Sequence, residues 1–171
     1  MRETPDRRLV AVLAADAVGY SHAVATDEAL ALRALANSRR LIDAHIEEGG
    51  GRIFNTAGDS VLAEFLGPAE AVRCGLAVQE ALHEAGSEIP LLTFRIGISL
   101  GEVVVKGGDL LGATVNIAAR LEAIAPAGGL CISGAVPDAI ARGHGQSWQD
   151  LGFRHLKNLV EPVRIFRFAG G

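Results

Sequence analysis

The chain has 171 residues, of which 49% are apolar but only 5% aromatic, and it carries a net charge of −4. That length suits one domain, with a core built from Ala, Val, Leu and Ile. A weakly acidic chain without a Lys/Arg stripe excludes a nucleic-acid backbone as the expected partner, and the absence of any run near ~18 apolar residues or of a signal-like N-terminus points to a cytoplasmic protein without a membrane span.

Residues 8–15 are short, continuous and rich in Val and Leu, as in a buried strand. A helix is predicted from Thr26, with Thr26 as N-cap and Asp27 and Glu28 at the positive helix end. Leu30, Ala34, Leu35, Leu41, Ile42 and Ile46 form its apolar face, and Gly49, Gly50 and Gly51 stop it. A hairpin follows: residues 52–56 and 60–66 are strands, with Ala57, Gly58 and Asp59 in the turn. Pro68 opens a second helix that ends at Gly86. Residues 91–100 alternate as a strand, and 103–106 are expected to pair back after Gly101. A third helix covers 114–124, closed by Pro126 and Gly128-Gly129. A strand at 130–133, a small helix at about 137–142 and a terminal strand at 164–168 complete the chain. The order is β-α-β-β-α-β with C-terminal additions. It implies a ferredoxin-like α+β fold with the helices on one face of an antiparallel-rich sheet.

Two carboxylates stand out. Asp16 ends the first strand, and Asp59 sits in the hairpin turn. A carboxylate at a strand end is aimed by the sheet behind it, and two brought together make an oxygen cradle for Mg²⁺ or Mn²⁺, a cation site that usually handles phosphates. Cys74 and Cys131 form no CxxC motif, and the five His form no ligand pair. The cysteines read as small buried hydrophobes in a reducing compartment.

Five segments, AADAVGYS (14–21), FNTAGDSVLAEF (54–65), FRIGISLGEVVV (94–105), DLLGATVNIAARLE (109–122) and LKNLVEPVRIF (156–166), resemble in order and spacing the catalytic domain of class III nucleotidyl cyclases, bacterial adenylate cyclase type. The resemblance spans about residues 7–168 and treats the chain as a single cyclase domain. It implies that Asp16 and Asp59 bind two divalent cations. It implies that Asn116 orients the ribose, that Arg120 stabilises charge on the reacting phosphate, and that Lys157 grips the terminal phosphates. Asp109 matches a residue that selects the purine. Its companion position is Asn55, where adenylate cyclases of this family usually carry Lys. An amide can both donate to and accept from an adenine edge but discriminates less sharply than a fixed cation. The implied reaction is conversion of ATP to 3′,5′-cyclic AMP and pyrophosphate, in a homodimer whose two chains share each site, with fused or associated regulatory domains as further partners. A guanylate or mixed-specificity cyclase and a non-catalytic nucleotide-binding module are the alternatives.

Overall fold

The structure, a computed structural model, describes residues 4–136 and 148–169. Strand β1 (Asp6–Ala17) is central, and every residue from Val10 to Ala15 is buried, because both of its faces are covered. Two helices follow, α1 (Tyr20–Thr26) and α2 (Glu28–Glu48), then the hairpin of β2 (Arg52–Ala57) and β3 (Ser60–Phe65). Helix α3 (Pro68–Ala85) leads to the long strand β4 (Phe94–Lys106) and the short β5 (Asp109–Leu111). Helix α4 (Ala113–Ile124), β6 (Leu130–Ser133), β7 (Gln149–Arg154) and β8 (Val163–Phe168) complete the described residues. The sheet order is β2-β3-β1-β4-β6-β8-β7, with β5 paired to β4. Among the described residues, only the β4–β6 pair is parallel. The first four strands thus have the order of a ferredoxin-like βαββαβ core, and the fold is α+β as expected.

Alternation along β1 divides the core. Ala11, Leu13 and Ala15 face α2 and α3, packing with Ile42, Ile46, Val72 and Val78. Val10, Val12 and Ala14 face the other way, with Val103, Leu110 and Ala118 of α4. The helices are therefore on one face only for α2 and α3, and α4 covers the opposite one. Cys74 and Cys131 are buried and free, and burial pushes their thiols up to about 12 and about 11.

The local expectations need several corrections. Asp27, not Thr26, caps α2: its extended backbone lets its carboxylate accept from the Leu30 N–H at 3.1 Å, while the Thr26 hydroxyl turns back to the His22 carbonyl and ends the unforeseen α1. Leu30 is correspondingly 43% exposed, and Ala31, Ala34, Ser38, Ile42 and Ile46 form the buried line of α2. Strand β4 begins only at Phe94, because Leu92 gives its N–H to Ser38 Oγ of α2 rather than to the sheet. It also runs straight through Gly101. The reversal occurs at Gly107 and Gly108, both at positive φ, and β5 is what pairs back. Strand β7 was not foreseen, and the helix expected at 137–142 lies outside the described residues. Among the described residues, no helix is long and apolar enough to cross a membrane.

Helix α4 lies almost on the backbone of β4. A Cβ at Gly97 would overlap the Ala118 carbonyl oxygen and the Glu122 amide nitrogen. Ser99 Oγ donates to the Thr114 carbonyl at 2.6 Å, and Thr114 Oγ1 donates to the Glu102 carbonyl at 2.8 Å. Since the obstruction at Gly97 is backbone, Gly97→Ala is expected to lower stability by about 1–3 kcal/mol, read as a shift in urea midpoint.

Candidate active site

Asp16 is the penultimate residue of β1 and has the same sheet parity as Val12 and Ala14, so it faces the α4 side. Asp59 enters from the β2–β3 turn, which Gly58 makes possible at φ 59°. The two meet at the end of β1, where the Ala17 N–H donates to Asp59 Oδ2 at 3.2 Å. There the chain leaves the sheet: Val18 donates to the Thr93 carbonyl at 2.8 Å, and Gly19, at φ 67°, bends it into α1.

Asp16 is half-buried, and its Oδ1 is a buried acceptor with no partner among the described residues. Burial, together with the hydrogen-bonding proximity and charge of Asp59, pushes its carboxyl up from 3.8 to about 7, against the opposing pull of the Ala17 N–H and of Arg95. Arg95 is directly across from Asp16 in the β1–β4 register, and its Nε donates to the Ala125 carbonyl at 3.0 Å. Glu122 of α4 is the third carboxyl here. Burial, then the charges of Asp16 and Asp59, raise it from 4.5 to about 7. Neither Arg95 nor Glu122 was singled out from the sequence. Their signal was position: Arg95 alternates with Phe94 and Ile96, and Glu122 is one helical turn beyond the sheet-facing Ala118.

Negative charge crowded without full compensation fits a cation. Among the described residues, no group of three or more His, Cys, Asp or Glu could hold a metal by itself. The donor set is instead two carboxylates, with an unpartnered oxygen between strand end and turn. That suits Mg²⁺ or Mn²⁺, which take one or two carboxylates and complete their shell with water and substrate phosphates.

The other candidates gather elsewhere. Asn116 and Arg120 are four residues apart in α4, exposed and half-buried respectively. At 100° per residue, each lies about 160° around the helix from the sheet-facing Ala118. They share the outer face of α4 and point away from the sheet side that carries Asp16. Leu156 packs with Ile117 and Leu121 of α4, so the turn at Asn158 (φ 65°) presents the exposed Lys157 beside the same helix. Asp109 starts β5, three residues before the N-cap Gly112 of α4, and its Oδ1 accepts from the Leu110 N–H at 2.9 Å. Asn55 is exposed on β2. A bulge between Ile53 and Asn55 sets Asn55 opposite Leu62, on the α4 side of the sheet. One chain thus joins Asp16 with Asp59 and turns Asn116 and Arg120 outward.

A solved structure described as an adenylate/guanylate cyclase/hydrolase from Silicibacter pomeroyi is 37% identical to this chain, covers 98% of it and 100% of its own length, and superposes with a TM-score of 0.87. The chain belongs to the class III adenylate/guanylate cyclase family. An adenylate cyclase of Streptomyces coelicolor is 34% identical over 82% of the chain and 36% of its own length. The structure of the guanylyl cyclase Cya2 is 27% identical, covers 97% of the chain and 94% of its own, and has a TM-score of 0.82. No protein-family model matches the chain. The cyclase domain spans 29% to 42% of the length of the first curated relatives it matches. Members of this family are phosphorus–oxygen lyases and generally use divalent metal ions.

The raised carboxyls set the pH dependence of the metal-free cyclase domain. Asp16 and Glu122 bind protons more tightly folded than unfolded, so the folded state gains protons, and stability declines as pH rises from about 4 to about 7. The expected melting temperature is lower at about pH 8 than at about pH 5, and Asp16→Asn flattens that difference. Added Mn²⁺ should raise the melting temperature of the wild type at the higher pH and leave that of Asp16→Asn unmoved.

Proposed function

We propose that the chain is the catalytic domain of an adenylate cyclase that converts ATP to 3′,5′-cyclic AMP and pyrophosphate in a site shared between two copies. The observation that carries this reading is the division just described. The unpaired buried oxygen of Asp16 beside Asp59 is a cation receptor, while the Asn116–Arg120 pair faces outward from the same chain.

Asp16 and Asp59 would hold two divalent cations, which, when bound, supply Lewis-acid stabilisation to the attacking and departing oxygens. The chain's own residues do the rest. Asn116 holds the ribose so that its 3′-oxygen lies in line with the α-phosphate. Arg120, always charged and forked, binds the phosphate oxygens on which charge accumulates. Lys157 holds the terminal phosphates that leave as pyrophosphate. Asp109 accepts from the adenine 6-amino group, and Asn55 meets the adjoining ring edge. Because Asn116 and Arg120 face away from the carboxylates of their own chain, a head-to-tail pair of chains would complete two such sites.

Asn55 supports a second reading. Its amide can present either a donor or an acceptor to a purine, so a mixed ATP/GTP specificity is the alternative, and the similarity to a guanylyl cyclase is compatible with it. Initial rates with Mn²⁺ and each nucleotide separate the two: cyclic AMP alone supports the proposal, comparable cyclic GMP supports the alternative, and no product from either overturns both.

The shared site makes a quantitative expectation. Asp59→Ala and Arg120→Ala should each reduce kcat by about 10³-fold or more. Mixed in equal amounts and allowed to exchange, half of the dimers are hybrids with one intact site each, so activity should return to about a quarter of wild type. A mixture that stays inactive, although both variants fold and exchange, excludes the shared site.

A further inference from the structure

Arg52 opens β2 and connects two parts of the molecule that the chain keeps far apart. Its Nε donates to Glu64 Oε1 at 2.8 Å, and its Nη2 donates to the Gly108 carbonyl at 3.0 Å. Glu64 is no ordinary surface partner. Its side chain is only 12% exposed, its Oε2 is buried without a hydrogen-bond partner among the described residues, and Arg8 Nη1 reaches only to 4.0 Å of Oε1. A carboxylate so placed holds the guanidinium in one orientation, and the fork then leaves a second N–H group for Gly108.

Gly108 belongs to the two-glycine turn at positive φ that joins β4 to β5, and Asp109 is the next residue. The turn is too short to absorb a displacement, so whatever fixes Gly108 fixes Asp109. On the other side, Arg52 is directly opposite Glu64 in the β2–β3 register, and the bulge after Ile53 brings Asn55 to the same side of the sheet, opposite Leu62. Among the described residues, the Arg52–Gly108 bond is the hydrogen bond that joins β2 to this turn.

We propose that Arg52, locked by Glu64, is a positioning residue that sets the separation of Asn55 and Asp109 and thereby the sharpness of purine selection. The inference rests on the reading of those two residues as the base-facing pair. Arg52 touches neither base nor phosphate in this account. It holds the β4–β5 turn against the strand that carries Asn55. Lysine would replace it only in part, because an ammonium on a flexible stem lacks the planar fork that reaches both acceptors.

Two measurements on the whole chain test this with Arg52→Ala, Arg52→Lys and Glu64→Gln. The first is the preference between ATP and GTP, as the ratio of kcat/KM values with Mn²⁺ and as the ratio of dissociation constants for unreactive analogues of the two nucleotides. The second is amide hydrogen exchange over residues 107–111. Arg52→Ala should change the preference by about 5-fold or more, chiefly through KM, and speed exchange in the turn by about 10-fold, with Arg52→Lys and Glu64→Gln intermediate. A preference within about 2-fold of wild type, or unchanged exchange in the turn, overturns the proposal. So does a loss of kcat equal for both nucleotides, which is what general loosening would give. If the wild type turns over neither nucleotide, the cyclase reading fails first, and analogue binding with exchange still decides the role of Arg52. Should Arg52→Ala not fold, the two milder variants decide it.

Discussion

Helix α4 rests on β4 at a place where the strand has almost no side chains. Gly97 and Gly101 offer only hydrogen toward the helix, and Ser99 offers a hydroxyl that the helix accepts through its Thr114 carbonyl. The helix backbone therefore comes closer to the sheet than an ordinary helix–sheet layer allows. This one contact fixes the rotation of α4 about its axis. With Ala118 facing the sheet, Glu122 falls beside Asp16, and Asn116 and Arg120 are turned outward. Both halves of the proposed chemistry depend on that rotation, because one helix forms the back wall of the acidic end of β1 and carries Arg120, the guanidinium proposed to meet phosphate.

The acidic end of β1 is built at a cost to the empty fold. Asp16, Asp59 and Glu122 converge with Arg95 as the opposing charge nearby, and burial forces two of the three carboxyls to hold protons near neutral pH. A site intended only for stability would have satisfied Asp16 Oδ1 with a donor. Left unpartnered among the described residues, that oxygen would favour a cation, and the repulsion relieved on binding would add to the attraction. Sites of this kind trade stability of the metal-free protein for affinity.

Much of the architecture follows from local pattern. The continuous apolar run 10–15 gives a strand buried on both faces, Gly49 and Gly86 end helices, Pro68 starts one, and Gly58 turns the hairpin. Two of the misreadings share one cause. At Gly101, a glycine that looks like a turn is there because Thr114 lies over it, and at Leu92 the N–H that should extend a strand is taken by Ser38 of a distant helix. Both are competitions decided by tertiary partners, which a local window does not contain. Strand β7 is missed for a similar reason: at the sheet edge, its residues are half-buried or exposed and carry no clear alternation.

The sequence by itself determined the family resemblance, the βαββαβ order and the identity of the acidic, amide and basic residues, because chemistry and spacing are written in the chain. The tertiary structure decided which of them meet. It joined Asp16 to Asp59 across 43 positions, added Glu122 and Arg95 to them, turned Asn116 and Arg120 away, and used a bulge to bring Asn55 to the side of α4. Those outcomes depend on sheet register and on how near one backbone can approach another, and both are settled only when the elements pack.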